Sequence, residues 1–236
     1  VADCTGCGNC VDVCLAKDKA LAMEPYMDHV ADQSAFDHLN AKVGYKTPLD
    51  PKSNMKAAQF AQPLFEFSGA CAGCGETPYI KNITQLFGDH MMIANATGCS
   101  SIYGASFPAS PYCTDAHSHG PAWQNSLFED FCEFGLGMHL GSDRIRETVA
   151  SLMKKGLECG CCSDEIKALF RQWLDNKNDY ATTREVADKL VPLMEACGCE
   201  VCSSLLRLKA FIPARSQWIF GGDGASYDIG YGGLDH

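Results

Sequence analysis

The sequence predicts an α/β domain of the doubly wound type, preceded by a small cysteine-rich segment. Two short apolar runs predict strands of a parallel sheet: residues 90–96 (HMMIANA) end at a Thr-Gly pair, and residues 216–220 (SQWIF) lead into the turn GGDG. Strands that end in glycine-rich turns among helices are typical of doubly wound sheets. Over residues 142–215 apolar side chains recur at intervals of three and four, which predicts a mainly helical stretch.

Helix signals and breaks divide the chain. Thr77 and the proline after it precede a periodic apolar run that ends before Gly88, which predicts a helix with Pro in its first turn. A second helix is predicted within 128–140. Residues 31–62 are polar, show little periodicity and contain two prolines, so we interpret them as a linker. The predicted organisation is a cysteine-rich domain at 1–30, the linker at 31–62, and an α/β domain at 63–236 that contains a helical, cysteine-rich segment at 142–215.

Charge and hydropathy argue against two classes of partner. The formal net charge is −10 with no run of Lys or Arg, whereas sequence-independent nucleic-acid binding rests on clustered cations. No stretch approaches the roughly 18–20 apolar residues that a membrane-spanning helix needs. We therefore expect neither a nucleic-acid nor a membrane partner. The chain begins at Val1 and we expect it to be incomplete at both ends, so the fact that no targeting signal can be read is uninformative.

Cysteine usage indicates a reducing compartment. The chain contains 15 cysteines, an odd number that would leave one thiol unpaired, and disulfide-rich secreted domains are usually much shorter. The spacing of the cysteines favours metal binding over disulfides. We expect oxygen-sensitive clusters in a protein that is not secreted.

The first cysteine group has the spacing Cys4-x2-Cys7-x2-Cys10-x3-Cys14, which matches the bacterial ferredoxin run. In that pattern Cys4, Cys7 and Cys10 ligate one [4Fe-4S] cluster and Cys14 ligates a neighbouring one. A zinc site or free thiols are the alternatives. Leu15 stands where the pattern usually has Pro, which binds no iron. We expect residues 1–30 to be the second half of a two-cluster, ferredoxin-like α+β domain, with the companion cysteines upstream.

A second group of cysteines lies in the predicted α/β domain. Cys71-x2-Cys74 comes just before Glu76 and the predicted helix, and Cys99 follows the first predicted strand, 25 residues after Cys74. A lone CxxC is ambiguous among zinc, a redox disulfide and a cluster. Ligands gather outside the carboxyl ends of strands in a doubly wound sheet. The three thiols are therefore candidates for a single cluster.

The turn Gly222-Asp223-Gly224 follows the second predicted strand. Backbone N–H groups of such a turn, with the helix that follows, can hold a diphosphate. Asp223 can supply a hard oxygen ligand for Mg²⁺, which suits a carboxylate together with phosphate oxygens. The alternative is an ordinary glycine-rich turn.

Several segments together resemble the carboxyl-terminal part of pyruvate:ferredoxin oxidoreductases. In chain order they are SGACAGCGETPY, ATGCSSIYG, GPAWQNSLFED, EFGLGM and GGDGASYDIGYGGLDH. The resemblance covers essentially the whole chain and is weakest over 142–215. It implies that Cys71, Cys74 and Cys99 bind the proximal [4Fe-4S] cluster and that Glu76 and Cys99 contact thiamine diphosphate. It also implies a diphosphate site, with Asp223 on Mg²⁺, formed by Gly222, Asp223, Gly224 and Ala225. The family usually has Trp where this chain has Ala225, so we expect a looser wall there.

The resemblance implies a reaction and partners for the whole enzyme. Pyruvate is oxidatively decarboxylated with coenzyme A to acetyl-CoA and CO2, and electrons pass through three [4Fe-4S] clusters to ferredoxin. It implies a homo-oligomer located in the cytoplasm or in a hydrogenosome-type anaerobic organelle. We assign no catalytic residue within this chain and expect it to be inactive alone. The substrate arginine, the coenzyme A site and the glutamate that activates the thiamine pyrimidine are expected upstream of Val1, and further Mg²⁺ ligands and a fourth cluster cysteine beyond His236.

Other interpretations remain open at this point. A related enzyme can use another 2-oxoacid or a nicotinamide acceptor, and a stand-alone iron–sulfur carrier or a zinc-stabilised interaction protein is the alternative from another class. Six further cysteines form two triplets in the helical segment. We expect them to be buried or reducible thiols, with a metal site bridging two helices as the alternative. They are Cys159, Cys161, Cys162, Cys197, Cys199 and Cys202.

Overall fold

The computed structural model describes residues 4, 6–46, 48–106, 109–127 and 129–228. The chain divides into two compact units, Val1–Pro48 and Leu49–His236. The division lies inside the segment that we interpreted as a linker.

The described residues of the first unit form two α-helices and a 3-10 helix. They are α1 (Asn9–Asp12), a 3-10 helix at Tyr26–Asp32, and α2 (Gln33–Val43). None of the residues described in this unit is buried. A segment this small, without an apolar core among its described residues, needs another source of stability, such as a bound metal group.

A three-stranded parallel sheet organises the second unit. Its strands are β1 (Met91–Ala96), β2 (Ala122–Ser126) and β3 (Ser216–Phe220), in the order β2-β1-β3. β1 lies parallel to both neighbours, and Ile93 pairs with Trp123 on one side and Trp218 on the other. The prediction of β1 and β3 is confirmed, whereas β2 was missed because its sequence, AWQNS, has no apolar run.

Helices make up most of the remainder. They are α3 (Met55–Ala58), α4 (Thr77–Phe87), α5 (Cys99–Ser101), α6 (Phe131–Glu158), α7 (Asp164–Asp175), α8 (Tyr180–Cys197) and α9 (Glu200–Arg207), with short 3-10 helices at Gly88–His90 and Lys209–Phe211 and π-helical turns at Ile102–Ser106 and Gly224–Asp228. The predicted helix after Thr77 and the helical character of 142–215 are confirmed. The helix predicted within 128–140 begins at Phe131 and is much longer, and residue 128 lies outside the described residues.

Helices cover both faces of the sheet. Because side chains alternate along a strand, Ile93 points to one face, where it packs in a buried cluster with Ile80 of α4. Ala94 and Ala96 point to the other face, towards α6. The second unit is therefore a mixed α/β structure with a small parallel sheet. Its assignment to the doubly wound class stays a prediction.

Helices α6 to α9 form a bundle with its own apolar core, in which Phe170, Trp173, Leu190 and Leu205 are fully buried. The Trp173 indole N–H donates to the carbonyl of Ile212 at 2.7 Å, which satisfies the polar atom of this buried ring. In the described part of the chain, no helix has the length and apolar character needed to cross a membrane.

The contact between α6 and α7 depends on a glycine. A Cβ added at Gly156 would overlap the ring of Phe170, which is fully buried, whereas a Cβ at Gly141 of the same helix would meet no atom within 4 Å. We expect Gly156→Ala to lower the free energy of unfolding by about 1–3 kcal/mol, the usual effect of overpacking. Gly141→Ala should be neutral or raise it by up to about 1 kcal/mol, because Ala favours helix. Urea unfolding of the two variants measures the difference, and equal stabilities would contradict this packing.

Candidate cofactor and metal site

The carboxyl ends of β1 and β3 bring a thiol and a carboxylate together. Cys99 begins α5, three residues after β1, and Asp223 lies three residues after β3. Because β1 and β3 are parallel neighbours, both residues emerge at the same edge of the sheet. The Cys99 Sγ lies 3.9 Å from the Asp223 Oδ1, although 124 residues separate them in the sequence.

A polar network fixes the backbone that leads to Cys99. The Asn95 side-chain amide donates to the Asn125 Oδ1 at 3.0 Å, and the Asn125 amide donates to the Thr97 Oγ1 at 2.7 Å. The Thr97 backbone N–H donates to the carbonyl of Ser126 at 3.0 Å. These bonds continue the β1–β2 pairing past the end of β1 and orient the loop that carries Cys99.

The glycine at 222 permits the close approach of Cys99 to the turn after β3. A Cβ at this position would overlap the sulfur of Cys99. The Gly222 carbonyl accepts the N–H of Ser226 at 3.0 Å, and the Asp223 Oδ1 accepts the N–H of Gly224 at 2.9 Å. These local bonds make a tight turn with its carboxylate beside the thiol.

The CxxC segment forms a second tight turn. The Cys74 N–H donates to the carbonyl of Cys71 at 3.0 Å, and Gly73 between them has a positive φ of 77°. The Cys74 Sγ then accepts the N–H of Glu76 at 3.4 Å, and Glu76 immediately precedes α4. The turn and the start of α4 therefore set the positions of both thiols and the carboxylate.

These segments line one open cavity of about 610 Å³, a size within the usual range for ligand pockets. Six of its lining residues carry reactive or polar groups: Cys71, Cys74, Glu76, Cys99, Tyr103 and Asp223. Ala225, in contrast, is buried beneath the turn in contact with Ala96 and Phe131. The structure thus brings together the cysteines and carboxylates of the second group and places Ala225 in the core.

The charges in this cavity repel one another. Burial raises the pKa of Glu76, and the carboxylate of Asp223 raises it further. Burial also raises the pKa of Cys99, as do the negative charges of Glu76 and Asp223. Burial beside Glu76 raises the pKa of Tyr103 as well. Three thiols and two carboxylates therefore form a donor set that a bound cation would stabilise, which fits an iron–sulfur cluster with a magnesium-bound diphosphate.

Tyr103 was not singled out from the sequence as a site residue. It lies four residues after Cys99, which is about one helical turn, and its side chain is buried on the wall of the cavity. The spacing alone was a usable signal, because residues i and i+4 share a helix face.

In the first unit, two cysteines of the ferredoxin-like run share a cavity. Cys4 and Cys10 line a space of about 730 Å³, and these two cysteines and Cys7 are all exposed. Gly6 and Gly8 have positive φ values of 73° and 77°, which the tight loop between these cysteines requires.

Cys14 is held separately, by the backbone that follows it. Its sulfur accepts the N–H of Ala20 at 3.3 Å. Hydrogen bonds from the backbone N–H groups of Ala20 and Ala16 lower the pKa of Cys14. A thiol stabilised as the thiolate is prepared for a metal.

Comparison with known proteins relates nearly the whole chain to one group of enzymes. It is 51% identical over 236 residues to a pyruvate-flavodoxin oxidoreductase of Klebsiella pneumoniae and 50% identical over 243 residues to a pyruvate:ferredoxin oxidoreductase of Moorella thermoacetica. In both cases the match covers 99% of this chain and 20% of the relative. A mitochondrial pyruvate dehydrogenase [NADP(+)] of Euglena gracilis is 41% identical over 99% of this chain and 13% of its own length. The sequence matches no family profile.

For Cys14 and Cys99, the pKa shifts and the exposure of the thiols predict opposite orders of reactivity. Cys99 is exposed and Cys14 is half-buried, yet the pKa of Cys99 is raised and that of Cys14 is lowered. Because the thiolate is the nucleophile, we expect iodoacetamide to modify Cys14 of the metal-free chain at lower pH than Cys99. Peptide mass spectrometry between about pH 7 and about pH 10 measures both profiles.

Asp223→Asn provides the control for this order. Removing its charge should move the Cys99 profile to lower pH and leave the Cys14 profile unchanged. A Cys99 profile at or below that of Cys14 in the unaltered chain would show that the charges in the cavity do not act on this thiol.

Proposed function

Because the chain belongs to the family of pyruvate:flavodoxin and pyruvate:ferredoxin oxidoreductases, we propose that it supplies part of the cofactor site of an enzyme that oxidatively decarboxylates pyruvate. In the proposed reaction coenzyme A receives the acetyl group and a small carrier protein receives the electrons. The chain spans 20% of the length of the relatives just named, so the reaction is proposed for the whole enzyme. The observation that carries the proposal is the convergence of Cys71, Cys74, Cys99, Glu76 and Asp223 on one cavity.

In this proposal the three thiols of the cavity hold the proximal [4Fe-4S] cluster. Cys71 and Cys99 are exposed to the cavity and Cys74 is half-buried, which leaves their sulfurs accessible to iron. The tight turn between Cys71 and Cys74 occurs in cluster-binding loops as well as in zinc sites, and Cys99 beside it supplies a third thiol. A stand-alone electron carrier would need the thiols alone, whereas Glu76 and Asp223 beside them favour an enzyme with a second cofactor.

The turn after β3 is proposed to hold thiamine diphosphate through Mg²⁺. Asp223 supplies one carboxylate oxygen to the metal, and the backbone N–H groups of Gly222 and Gly224 lie on the same turn. Glu76 faces the same space and would contact the cofactor together with Cys99. Ala225 shapes the turn from beneath, since it is buried in contact with Phe131.

When bound, thiamine diphosphate would supply the electron sink that decarboxylation needs, and the clusters would supply one-electron acceptors, which side chains cannot provide. The residues of this chain bind, orient and insulate these groups. Cys4, Cys7, Cys10 and Cys14 of the first unit are proposed to hold the clusters that pass the electrons outward.

The nature of the electron acceptor is part of the proposal. Relatives are named for flavodoxin, ferredoxin and NADP(+), while pyruvate is common to all of these names. We propose ferredoxin, because the first unit has the cysteine run of a ferredoxin-like relay. Reduction of ferredoxin, flavodoxin and NADP+ by the whole enzyme with pyruvate and coenzyme A compares these acceptors directly.

Serine substitution at Cys99 tests the proximal cluster. In the whole enzyme we expect Cys99→Ser to remove the signal of one [4Fe-4S] cluster, because a serine oxygen is a poorer ligand for iron in a cubane than a thiolate. Cys162→Ser, in the distant helical bundle, should leave every cluster intact. Low-temperature EPR of the reduced protein measures both. Loss of a cluster in Cys162→Ser with all clusters retained in Cys99→Ser would place the proximal cluster elsewhere.

A carboxamide at position 223 tests the magnesium site. We expect Asp223→Asn to weaken Mg²⁺-dependent binding of thiamine diphosphate. Mutation of a residue that only hydrogen-bonds a metal ligand weakens metal binding by roughly 10- to 100-fold, so loss of a ligand itself should cost at least as much. Iron content should not change. Asp188→Asn, at an exposed residue of α8, provides the matched control and should bind the cofactor normally. Isothermal titration calorimetry with thiamine diphosphate and Mg²⁺ measures both affinities. An unchanged affinity in Asp223→Asn would contradict the assignment of Asp223 as a Mg²⁺ ligand.

A further inference from the structure

Two junctions between helices of the bundle carry six cysteines that the proposed reaction does not use. The first is the loop between α6 and α7, and its cysteines are Cys159, Cys161 and Cys162. The second is the α8–α9 junction, where Cys197 ends α8, Cys199 precedes α9 and Cys202 lies in the first turn of α9. The two junctions meet at one end of the bundle, where the Cys197 thiol reaches the backbone carbonyl of Cys161 at 3.5 Å.

Four of these sulfurs form a compact group. The Sγ atoms of Cys162, Cys197, Cys199 and Cys202 all lie within 4.8 Å of one another, and those of Cys162 and Cys199 are 3.9 Å apart. A Zn–S bond of about 2.3 Å gives a tetrahedron whose sulfurs are about 3.8 Å apart. The spacing therefore suits one ion at the centre.

The local sequence explains how three of the thiols converge. Gly198 has a positive φ of 61° and ends α8, so the chain reverses between Cys197 and Cys199. Cys199 is the N-cap of α9, and its sulfur accepts the N–H of Cys202 at 3.5 Å. The spacing Cys-x-Cys-x2-Cys thus turns three sulfurs towards one point, and Cys162 reaches that point from the α6–α7 loop.

The group is closed to solvent on the side of the core. Cys202 is fully buried and Cys162 is 5% exposed, and both belong to the same apolar cluster as Met194 and Leu205. Cys197 and Cys199 are half-buried. Four protein thiols complete a tetrahedral shell, which is typical of a structural zinc site and leaves no position for substrate.

We propose that Cys162, Cys197, Cys199 and Cys202 bind one Zn²⁺ ion that joins the α6–α7 loop to the α8–α9 junction. Sulfurs within 4.8 Å of one another lie at most about 2.9 Å from their common centre if they form a regular tetrahedron, so a cubane of four irons and four sulfides does not fit between them. Zinc in a tetrathiolate shell has no redox chemistry. The site is independent of the cofactor cavity, which lies at the ends of β1 and β3.

The two remaining cysteines provide an internal control. Cys159 and Cys161 are disulfide-bonded to each other. Their sulfurs and those of Cys162 and Cys199 form a second group whose members all lie within 4.8 Å of one another, but the bond between Cys159 and Cys161 withholds both sulfurs from a metal. In the proposal they are neighbours of the site and contribute no ligand.

Metal analysis of the whole protein, purified anaerobically without added metal, tests the site. We expect one zinc ion per chain in addition to the iron and inorganic sulfide of the clusters. Cys162→Ser and Cys199→Ser should each lose this zinc and keep the iron and sulfide. The double variant Cys159→Ser with Cys161→Ser should keep the zinc.

Exchange of the metal in the unaltered protein tests the site without any substitution, so the result does not depend on whether a variant folds. Replacement of zinc by Co²⁺ should produce the thiolate-to-cobalt charge-transfer absorption and the visible bands of a tetrahedral tetrathiolate. Removal of zinc by a chelator should lower the melting temperature.

Four results would overturn the proposal. They are a protein without zinc, zinc retained by Cys162→Ser, zinc lost from the Cys159/Cys161 double variant, and iron with inorganic sulfide in place of zinc at these thiols. None of them bears on the cofactor cavity, because the iron, sulfide and thiamine diphosphate of the cavity are measured separately.

Discussion

Parallel hydrogen bonding between β1 and β3 determines where the candidate cofactor site of the second unit forms. The ladder pairs Met91 to Asn95 with Ser216 to Phe220. More than a hundred residues, including the whole helical bundle, lie between these two strands in the sequence. Without this pairing, Cys99 and Asp223 would have no reason to be near each other. Because the strands run in the same direction, both residues leave the sheet at one edge, and the cavity forms there.

The packing of α6 against β1 and β3 also fixes the position of the turn that carries Asp223. A Cβ at Gly135 would approach Ile219 to 2.5 Å, and a Cβ at Gly221 would approach the ring of Phe131 to 2.9 Å. The absence of these side chains lets α6 lie directly on β1 and β3. The start of α6 therefore supports the turn that carries Asp223 from below, while Gly222 admits the Cys99 thiol from above. Small residues at three positions thus set the distance between thiol and carboxylate.

The elements that the sequence predicted are those with a local signal. The apolar runs of β1 and β3 and the proline and glycine around α4 each act within a few residues. β2 lacks such a signal, because its stability in the sheet comes from pairing with β1 and from the bond between Asn125 and Asn95. The convergence of Cys162 with Cys199 is likewise a contact between two loops, and neither triplet alone indicated where the other would lie.

The two groups of cysteines in the second unit differ in burial, and the difference fits the two kinds of metal site that we propose. Cys71 and Cys99 are exposed to an open cavity beside two carboxylates. A cluster held there would lie beside the proposed thiamine diphosphate, close enough to receive its electrons. Cys162 and Cys202 are buried in an apolar core, where a change of charge would be costly in the low dielectric. An ion of fixed valence suits that environment, so the two proposals together assign redox chemistry to the sheet edge and a structural role to the bundle.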